Sequence, residues 1–373
     1  DESMISKKRL GALLLAGTMI MGMSTTAFAS GETQNTPQVG TGTEQAPASV
    51  SITKDFEMAE GLDIPTVTFN FSVSADKSTS DAPKATIEPI SYSNANNKGN
   101  LTNQGKYVIS KDMQITFGTF PHAGEYLYTV EETKGDAKGV TYSTDKYTLR
   151  VQVANGANDS LYVESITAEK GTNTGNVNNK VTKILFTNTY RKNGSLTIKK
   201  NTTGDLADKT MKFNFTITFE KSATEETLGN FTGTITRKKG GEPENVPGQN
   251  GTFNFALADG DKIVFDKLPV GTKYEVKEKG VSNDGYTPSV TVWENNISSK
   301  KNGNESEDLS SLNNGKKNLV GEATNQVTFV NTYRDDVPVT GIIMNNLPFI
   351  LLIGVAVLAF GTLAFLKKRR TSK

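Results

Sequence analysis

The hexapeptide FTNTYR at residues 186–191 returns as FVNTYR at residues 329–334, and this near-repetition decides how the chain is divided. Three other short segments recur in the same order and at nearly the same spacing: SITK at 51–54 with LTIKK at 196–200, FNF at 69–71 with FNF at 213–215, and YTVEE at 128–132 with YEVKE at 274–278. Four paired segments in constant order indicate a duplicated domain of about 140 residues. The sequence therefore predicts two copies, at residues 50–191 and 195–334, joined by the short segment 192–194.

Each copy is a series of short segments in which apolar and polar residues alternate, separated by Gly, Asn, Asp and Pro; examples are residues 66–73, 125–132, 147–153, 212–219 and 289–293. Alternation with a period of two is typical of half-buried strands, and no segment of either copy has the apolar spacing of an amphipathic helix. This pattern predicts an all-β chain of two tandem immunoglobulin-like β-sandwiches. Residues 30–49 contain almost nothing that could form a core, so we expect them to be a flexible leader.

The composition excludes several classes of function. The 373 residues include 41 Lys and Arg and 40 Asp and Glu, and this balance argues against a nucleic-acid partner, which would require a basic surface. The absence of cysteine excludes disulfides, thiolate nucleophiles and cysteine-bound metals, and a single histidine, His122, excludes a histidine-rich metal site. We therefore expect no metal, no cofactor and no enzyme acting on an external substrate.

The N-terminal residues 1–29 have the three parts of a secretory signal peptide. A basic segment, KKR at 7–9, precedes an apolar segment at about 10–23, and AFA at 27–29 supplies the small residues of a cleavage site. The apolar segment is shorter than a membrane span requires. We therefore expect cleavage and secretion.

The C-terminal end has an apolar stretch at 347–366, long enough to cross a bilayer, followed by the basic cluster KKRR at 367–370. Directly before it stands the pentapeptide Val337, Pro338, Val339, Thr340, Gly341. Pentapeptide, apolar stretch and basic end together resemble the LPxTG-type cell-wall sorting signal of Gram-positive bacteria, with Val337 in place of the usual Leu. The resemblance implies that a membrane sortase cleaves between Thr340 and Gly341 and joins the Thr340 carbonyl to an amine. Gly341 and the hydrophobic span and basic tail at 342–373 are then removed after a transient stay in the membrane.

Strand periodicity places unusual side chains on the inward faces of both copies. Residues two apart in a strand share a face. Lys54 shares its face with Val50 and Ile52, Glu132 with Tyr128 and Val130, and Asn188 with Ile184 and Phe186; the same rule in the second copy selects Lys200, Glu278 and Asn331. Each sandwich is thus predicted to hold one lysine, one glutamate and one asparagine against its core.

Burying an isolated ammonium and carboxylate costs several kcal/mol per ion, so the arrangement requires compensation. One alternative is a buried Lys–Glu ion pair capped by Asn, and another is that some of these residues lie at strand ends and reach water. A third is covalent: burial favours a neutral lysine amine and a protonated glutamate. The amine attacks the asparagine carbonyl, and the glutamate hydrogen-bonds that carbonyl and passes a proton to the departing ammonia. The product is an intramolecular isopeptide bond.

This pattern, found twice between a signal peptide and a sorting signal, resembles the streptococcal-type pilin isopeptide-linkage domains and, over the whole chain, the two-domain backbone pilins of the T-antigen type. FDKLPVGTKYEV at 265–276 is also similar to the strand–turn–strand signature of Cna B-type domains, from which FPHAG at 120–124 departs. The resemblance implies one bond between Lys54 and Asn188, promoted by Glu132. It implies an equivalent second bond between Lys200 and Asn331, promoted by Glu278.

In such pilins a sortase joins the C-terminal threonine of one subunit to a lysine of the next. The resemblance puts this acceptor lysine at the position of Val181, which is not a lysine. The preferred acceptor is therefore the neighbouring Lys180, and Lys183, two residues away, is the second choice. The predicted function is a backbone pilin subunit on the cell surface, with sortase, other copies of itself, accessory pilins and peptidoglycan as partners and a host receptor left open. A wall-anchored adhesin that does not polymerise and an accessory pilin are the alternatives.

Overall fold

The structure is a computed structural model that describes residues 42–172, 177–280 and 285–334. The predicted signal peptide, the first part of the leader, the pentapeptide 337–341 and the C-terminal segment 342–373 lie outside these residues. Within the three described ranges, no helix is long and apolar enough to cross a membrane. Two single 3₁₀ turns, Ala157–Asp159 and Val177–Asn179, are the helical elements seen in this part of the chain.

The described residues up to Tyr190 form two sheets that pack face to face. Their strands are β1 (Val50–Ala59), β2 (Val67–Ala75), β3 (Ala85–Ile87), β4 (Ile90–Tyr92), β5 (Lys106–Phe117), β6 (Gly124–Thr133), β7 (Val140–Thr141), β8 (Lys146–Asn155), β9 (Leu161–Lys170), β10 (Lys180–Val181) and β11 (Ile184–Tyr190). One sheet has the order β3-β5-β1-β11-β7, and the other has the order β10-β9-β8-β6-β2-β4.

The following residues form a second pair of sheets. The strands are β12 (Asn193–Thr203), β13 (Phe213–Glu220), β14 (Thr232–Thr236), β15 (Glu244–Pro247), β16 (Thr252–Leu257), β17 (Lys262–Pro269), β18 (Lys273–Glu278), β19 (Tyr286–Glu294), β20 (Ile297–Asn302), β21 (Leu309–Ser310), β22 (Asn318–Leu319) and β23 (Gln326–Tyr333). One sheet has the order β15-β14-β17-β12-β23-β19-β20; the other has the order β16-β13-β18-β21, with β22 also paired to β18.

Alternating burial along the strands fills each sandwich with apolar side chains. In β6, for example, Tyr126, Tyr128 and Val130 are buried while the residues between them are half-exposed. The two pairs of sheets enclose two hydrophobic cores, one around Phe56, Phe69 and Phe186 and the other rich in phenylalanine. The predicted all-β sandwich class is confirmed.

The expected flexible leader is wrong for its last residues, 42–49. The Gly42 N–H donates to the carbonyl of Glu164 at 2.6 Å, and the Ala48 N–H donates to that of Val163 at 2.9 Å. The Glu44 carboxylate accepts from the Ala157 N–H at 2.8 Å. A segment without core-forming side chains is thus held by polar groups, because backbone donors and one carboxylate find partners along β9 and its turn.

The joint between the two sandwiches is shorter than the predicted segment 192–194, because β12 already begins at Asn193. Polar contacts hold the two sandwiches together at this point. The Arg191 guanidinium binds the Glu225 carboxylate at 2.8 Å, and Lys192 pairs with Glu322. The second carboxylate oxygen of Glu322 accepts from the Asp63 N–H at 3.0 Å, so one glutamate of the second sandwich contacts both the first sandwich and the joint.

Candidate crosslinking sites

In the first sandwich the first and last strands lie side by side. β1 and β11 are parallel, with Lys54 opposite Phe186 and Phe56 opposite Asn188. Lys54 and Asn188 are therefore two positions apart on the same face of one sheet, close enough for a long side chain to reach across. Glu132 projects toward them from β6 in the facing sheet, where it pairs with Phe71 of β2.

The second sandwich repeats this register. β12 and β23 are parallel, with Lys200 opposite Phe329 and Thr202 opposite Asn331. Glu278 of β18 pairs with Phe215 of β13, as Glu132 pairs with Phe71. Because every member of the trio has an equivalent strand and pairing partner, the repeated sequence segments correspond to repeated geometry.

In the first cluster the three predicted side chains are in contact and buried. The Lys54 Nζ lies 3.5 Å from Glu132 Oε2, and both side chains have no solvent exposure. The Asn188 Nδ2 donates to Glu132 Oε1 at 2.7 Å. The Lys54 amine also donates to the main-chain carbonyls of Asp55 at 3.1 Å and Phe186 at 3.3 Å.

In the second cluster the ion pair is closer. The Lys200 Nζ lies 2.8 Å from Glu278 Oε1, and the same oxygen accepts from Asn331 Nδ2 at 3.1 Å. Despite this short distance, the Lys200 amine makes no hydrogen bond among the described residues. Glu278 Oε2 and Asn331 Oδ1 are likewise buried and unpartnered in this part of the chain.

An aromatic ring lies beside each amine. The Lys54 Nζ is 4.5 Å from the centre of the Phe69 ring, and the Lys200 Nζ is 4.1 Å from that of Phe213. These are the first phenylalanines of the two FNF segments, which recur in the two copies of the repeat. The recurrence itself was the available signal, since an identical aromatic beside an identical lysine twice indicates a shared role.

Burial shifts the acid–base balance of the clusters. Desolvation lowers the pKa of Lys54 to about 8 and that of Lys200 to about 8, although the neighbouring glutamates oppose the shift. Desolvation also raises the pKa of Glu278, opposed by Lys200 and by the hydrogen bond from Asn331. In the second cluster both shifts favour transfer of a proton from the lysine to the glutamate, which leaves a neutral, nucleophilic amine.

The structure excludes one of the three alternatives for the buried lysine, glutamate and asparagine, and it corrects one detail of the proposed reaction. All six residues are buried, with at most 8% of their surface exposed, so the strand-end alternative is wrong. The contacts are those of a buried ion pair beside a carboxamide, which is also the arrangement that bond formation requires. The expected hydrogen bond from glutamate to the asparagine carbonyl is wrong: in both clusters the carboxyl oxygen contacts Nδ2 instead. The carboxyl thus faces the group that would leave as ammonia.

The two candidate acceptor lysines are exposed. Lys180 lies in β10, which pairs with β9 through Glu169 at the edge of its sheet, and Lys183 lies one residue before β11. Both could be reached by another protein. Thr340 and Gly341 lie outside the described residues.

Comparisons with known proteins relate this chain to solved structures and to two protein families. Among solved structures, the major pilin from Streptococcus pyogenes is 24% identical over 77% of this chain and 99% of that chain, with a TM-score of 0.36. A second major pilin protein of that species is 25% identical over 77% and 98% of the two chains, with a TM-score of 0.34. A pilus-presented adhesin is 21% identical over 50% of this chain and 37% of that chain, with a TM-score of 0.27.

A search of curated proteins finds no match. Residues 194–333, the second sandwich, match a family described as a domain of unknown function, DUF7601. Residues 50–191, the first sandwich, match the family described as the Spy0128-like isopeptide containing domain.

Proposed function

We propose that this protein is a structural subunit of a cell-surface pilus in which each sandwich closes its own Lys–Asn isopeptide bond. The observation that supports the proposal is the recurrence of one buried cluster in one register. Lys54, Glu132 and Asn188 occupy the same strand positions as Lys200, Glu278 and Asn331. A buried ion pair is a weak contributor to stability by itself, so finding it twice favours a chemical purpose.

The proposed reaction balances without a cofactor. The lone pair of the neutral lysine Nζ attacks the asparagine Cγ, and the carbonyl electrons move to Oδ1. Collapse of this intermediate expels Nδ2, which takes a proton from the attacking nitrogen through the glutamate and leaves as ammonia. One amine and one primary amide become one secondary amide and ammonia. Folding holds the groups together, and such proximity lowers a barrier by roughly 7–11 kcal/mol in the best cases.

The position of the bonds suits a fibre under tension. Each would join the first strand of its sandwich to the last, which are neighbours in one sheet. Tension entering at Lys54 would leave at Asn188, and tension entering at Lys200 would leave at Asn331. The strands between these residues would carry little of the load, and the crosslinked loops would resist proteolysis because they cannot fully unfold.

Assembly requires a carbonyl and an amine from different subunits. We assign the carbonyl to Thr340, released from Gly341 by a sortase, and the amine to Lys180, with Lys183 as the second candidate. Both lysines are exposed on the first sandwich. The final sortase step would transfer the fibre to peptidoglycan, and the signal peptide and basic C-terminus would serve export and transient retention.

Intact-mass measurement tests the crosslinks. The chain from residue 30 to residue 340, produced in bacteria, is expected to be lighter than its sequence by two molecules of ammonia. Glu132→Ala and Glu278→Ala are each expected to lose only one, because each removes the proton carrier of one cluster. An unshifted wild-type mass would remove the crosslinking proposal.

An immunoblot of cell-wall extracts tests polymerisation. A backbone pilin is expected to give a ladder of high-mass bands that disappears in Lys180→Ala, with Lys183→Ala as the matched variant. A ladder lost only in Lys183→Ala would move the acceptor to that residue. A single wall-linked band in the wild type would instead support a non-polymerising adhesin, and a band that enters a ladder only with another pilin would support an accessory subunit.

A further inference from the structure

The carbonyl that would be attacked in the first sandwich already receives a hydrogen bond. The backbone N–H of Ser143 donates to Asn188 Oδ1 at 3.1 Å. The same N–H lies 3.3 Å from Glu132 Oε1. It therefore lies between the carbonyl oxygen and the carboxyl, on the side of the carboxamide where negative charge would develop.

Contacts of the residues on either side of Ser143 hold the segment that positions this N–H. Ser143 belongs to the short connection 142–145 between β7 and β8. The Asp145 N–H donates to Ser143 Oγ at 3.3 Å, and the ring of Tyr142 packs against Phe69, with centroids 5.7 Å apart. Phe69 in turn lies beside the Lys54 amine. One aromatic contact thus links the connection to the amine.

We propose that the Ser143 backbone N–H is the oxyanion donor for isopeptide formation in the first sandwich. The inference rests on the proposed crosslinking reaction and adds a group to it. When Lys54 Nζ bonds to Asn188 Cγ, the carbonyl electrons move to Oδ1, and this oxygen stays hydrogen-bonded to Ser143. Glu132, which contacts Nδ2, carries the proton from the amine to the departing nitrogen. The N–H itself gives up no proton, so the products remain one secondary amide and one ammonia.

The second sandwich has no equivalent donor among its described residues. Asn331 Oδ1 is buried without a hydrogen-bond partner there. The residue paired with Asn331 across the sheet is Pro288, which has no N–H. Both residues, with Glu278, line a small cavity of about 10 Å³, roughly enough for one water molecule. The described residues of the second sandwich therefore offer the amide oxygen no donor comparable to Ser143.

The test follows loss of ammonia from newly made chains. The full chain carrying Glu278→Ala, so that only the first cluster can react, is made by cell-free synthesis, quenched with acid at intervals and weighed by mass spectrometry. Ser143→Pro removes the N–H and is expected to slow the reaction roughly 100-fold, as loss of one oxyanion donor does. Ser143→Ala keeps the N–H and removes Oγ, which accepts from the Asp145 N–H, so its rate measures the effect of loosening the connection. The further slowing of Ser143→Pro beyond Ser143→Ala is the part expected from loss of the N–H.

The reciprocal chain, carrying Glu132→Ala and Ser143→Pro, is expected to crosslink its second sandwich at the same rate as Glu132→Ala alone, which would show that the effect is local. If the first sandwich of the proline variant is protease-sensitive and so unfolded, an amide-to-ester replacement at position 143 deletes the N–H without a ring and is judged by the same criterion. A rate unchanged by loss of the N–H, or slowed equally in Ser143→Ala, would overturn the inference. Failure of the parent chain to lose ammonia would overturn the crosslinking proposal itself.

Discussion

The two lysine clusters lie on equivalent strands in one register, yet the last strand of each sandwich has different neighbours. β11 pairs with β7 only through Thr189 and Tyr190, which leaves room for the connection at Ser143 to reach Asn188. β23 pairs with β19 along its whole length, and Pro288 lies opposite Asn331. Duplication has therefore preserved the amine, the acid and the amide while the surroundings of the amide oxygen have diverged.

The amine also differs between the clusters. Lys54 donates to two main-chain carbonyls and lies 3.5 Å from its glutamate, whereas Lys200 lies 2.8 Å from its glutamate. Burial nevertheless lowers both lysine pKa values to about 8, since desolvation is the largest influence in each case. The comparison suggests that the two sites share the strength of the nucleophile and differ in how the carbonyl is polarised.

The largest expected effect separates the stabilities of the two sandwiches. Asn188→Ala and Asn331→Ala each remove one crosslink and leave the Lys–Glu pair in place. A crosslink that closes a loop of more than about 100 residues contributes roughly 4–5 kcal/mol to the free energy of unfolding. Denaturant titration followed by fluorescence is expected to show one transition moved to lower denaturant in each variant.

The matched controls for these substitutions are Asn70→Ala and Asn214→Ala, which truncate exposed asparagines of β2 and β13. Both are expected to unfold at the wild-type denaturant concentration within about 0.5 kcal/mol. If Asn188→Ala or Asn331→Ala behaved like its control, no stabilising bond would be present in that sandwich.

The second prediction concerns pH. Only the neutral amine attacks, so the rate of crosslinking is expected to rise with pH and to level off above about pH 8, the value to which burial lowers both lysine pKa values. Below that value the neutral fraction falls about tenfold per pH unit. Acid-quenched mass spectrometry of newly made Glu132→Ala and Glu278→Ala chains would give the two profiles separately.

The two profiles are expected to have the same midpoint and different plateaus, since the amines are alike and the carbonyls are not. A flat profile in both chains would contradict loss of the lysine proton to solvent and would indicate that the proton passes to the glutamate within the pair. Midpoints differing by more than about one pH unit would contradict the view that desolvation fixes both lysines equally.

The smallest effect concerns the aromatic rings. A ring face stabilises an ammonium by about 0.5–1 kcal/mol, so Phe69→Leu and Phe213→Leu should lower the lysine pKa and speed crosslinking two- to fivefold at about pH 6. The effect should be larger for Phe213, whose ring centre is 4.1 Å from the amine against 4.5 Å for Phe69. The same quenched mass measurement checks it.

Phe71→Leu and Phe215→Leu are the matched controls, because these rings pack on Phe186 and Phe329 at the neighbouring strand positions. They are expected to leave the pH dependence unchanged. An equal acceleration in the controls would assign the effect to looser packing.

Much of the fold and of the cluster could be predicted from strand periodicity. Lys54, Glu132 and Asn188 were placed inside because each shares the parity of buried neighbours, and the structure buries all three. Periodicity gives the face of a strand and leaves its register and its neighbours open. The composition of residues 42–49 likewise gave no sign that this segment packs against β9, because hydrogen bonds and not apolar side chains hold it there.

The order and spacing of the residues alone predict that the chain is duplicated, that it is built of strands and that each copy turns a lysine, a glutamate and an asparagine inward. A period of two and a repeated order of residues are properties of the chain alone. The contacts between particular atoms come from the folded chain: the carboxyl contacts Nδ2, the phenylalanine lies beside the amine, and the Ser143 N–H donates to the Asn188 oxygen. These contacts join strands and connections distant in sequence, and their geometry is fixed by sheet pairing that no local pattern encodes.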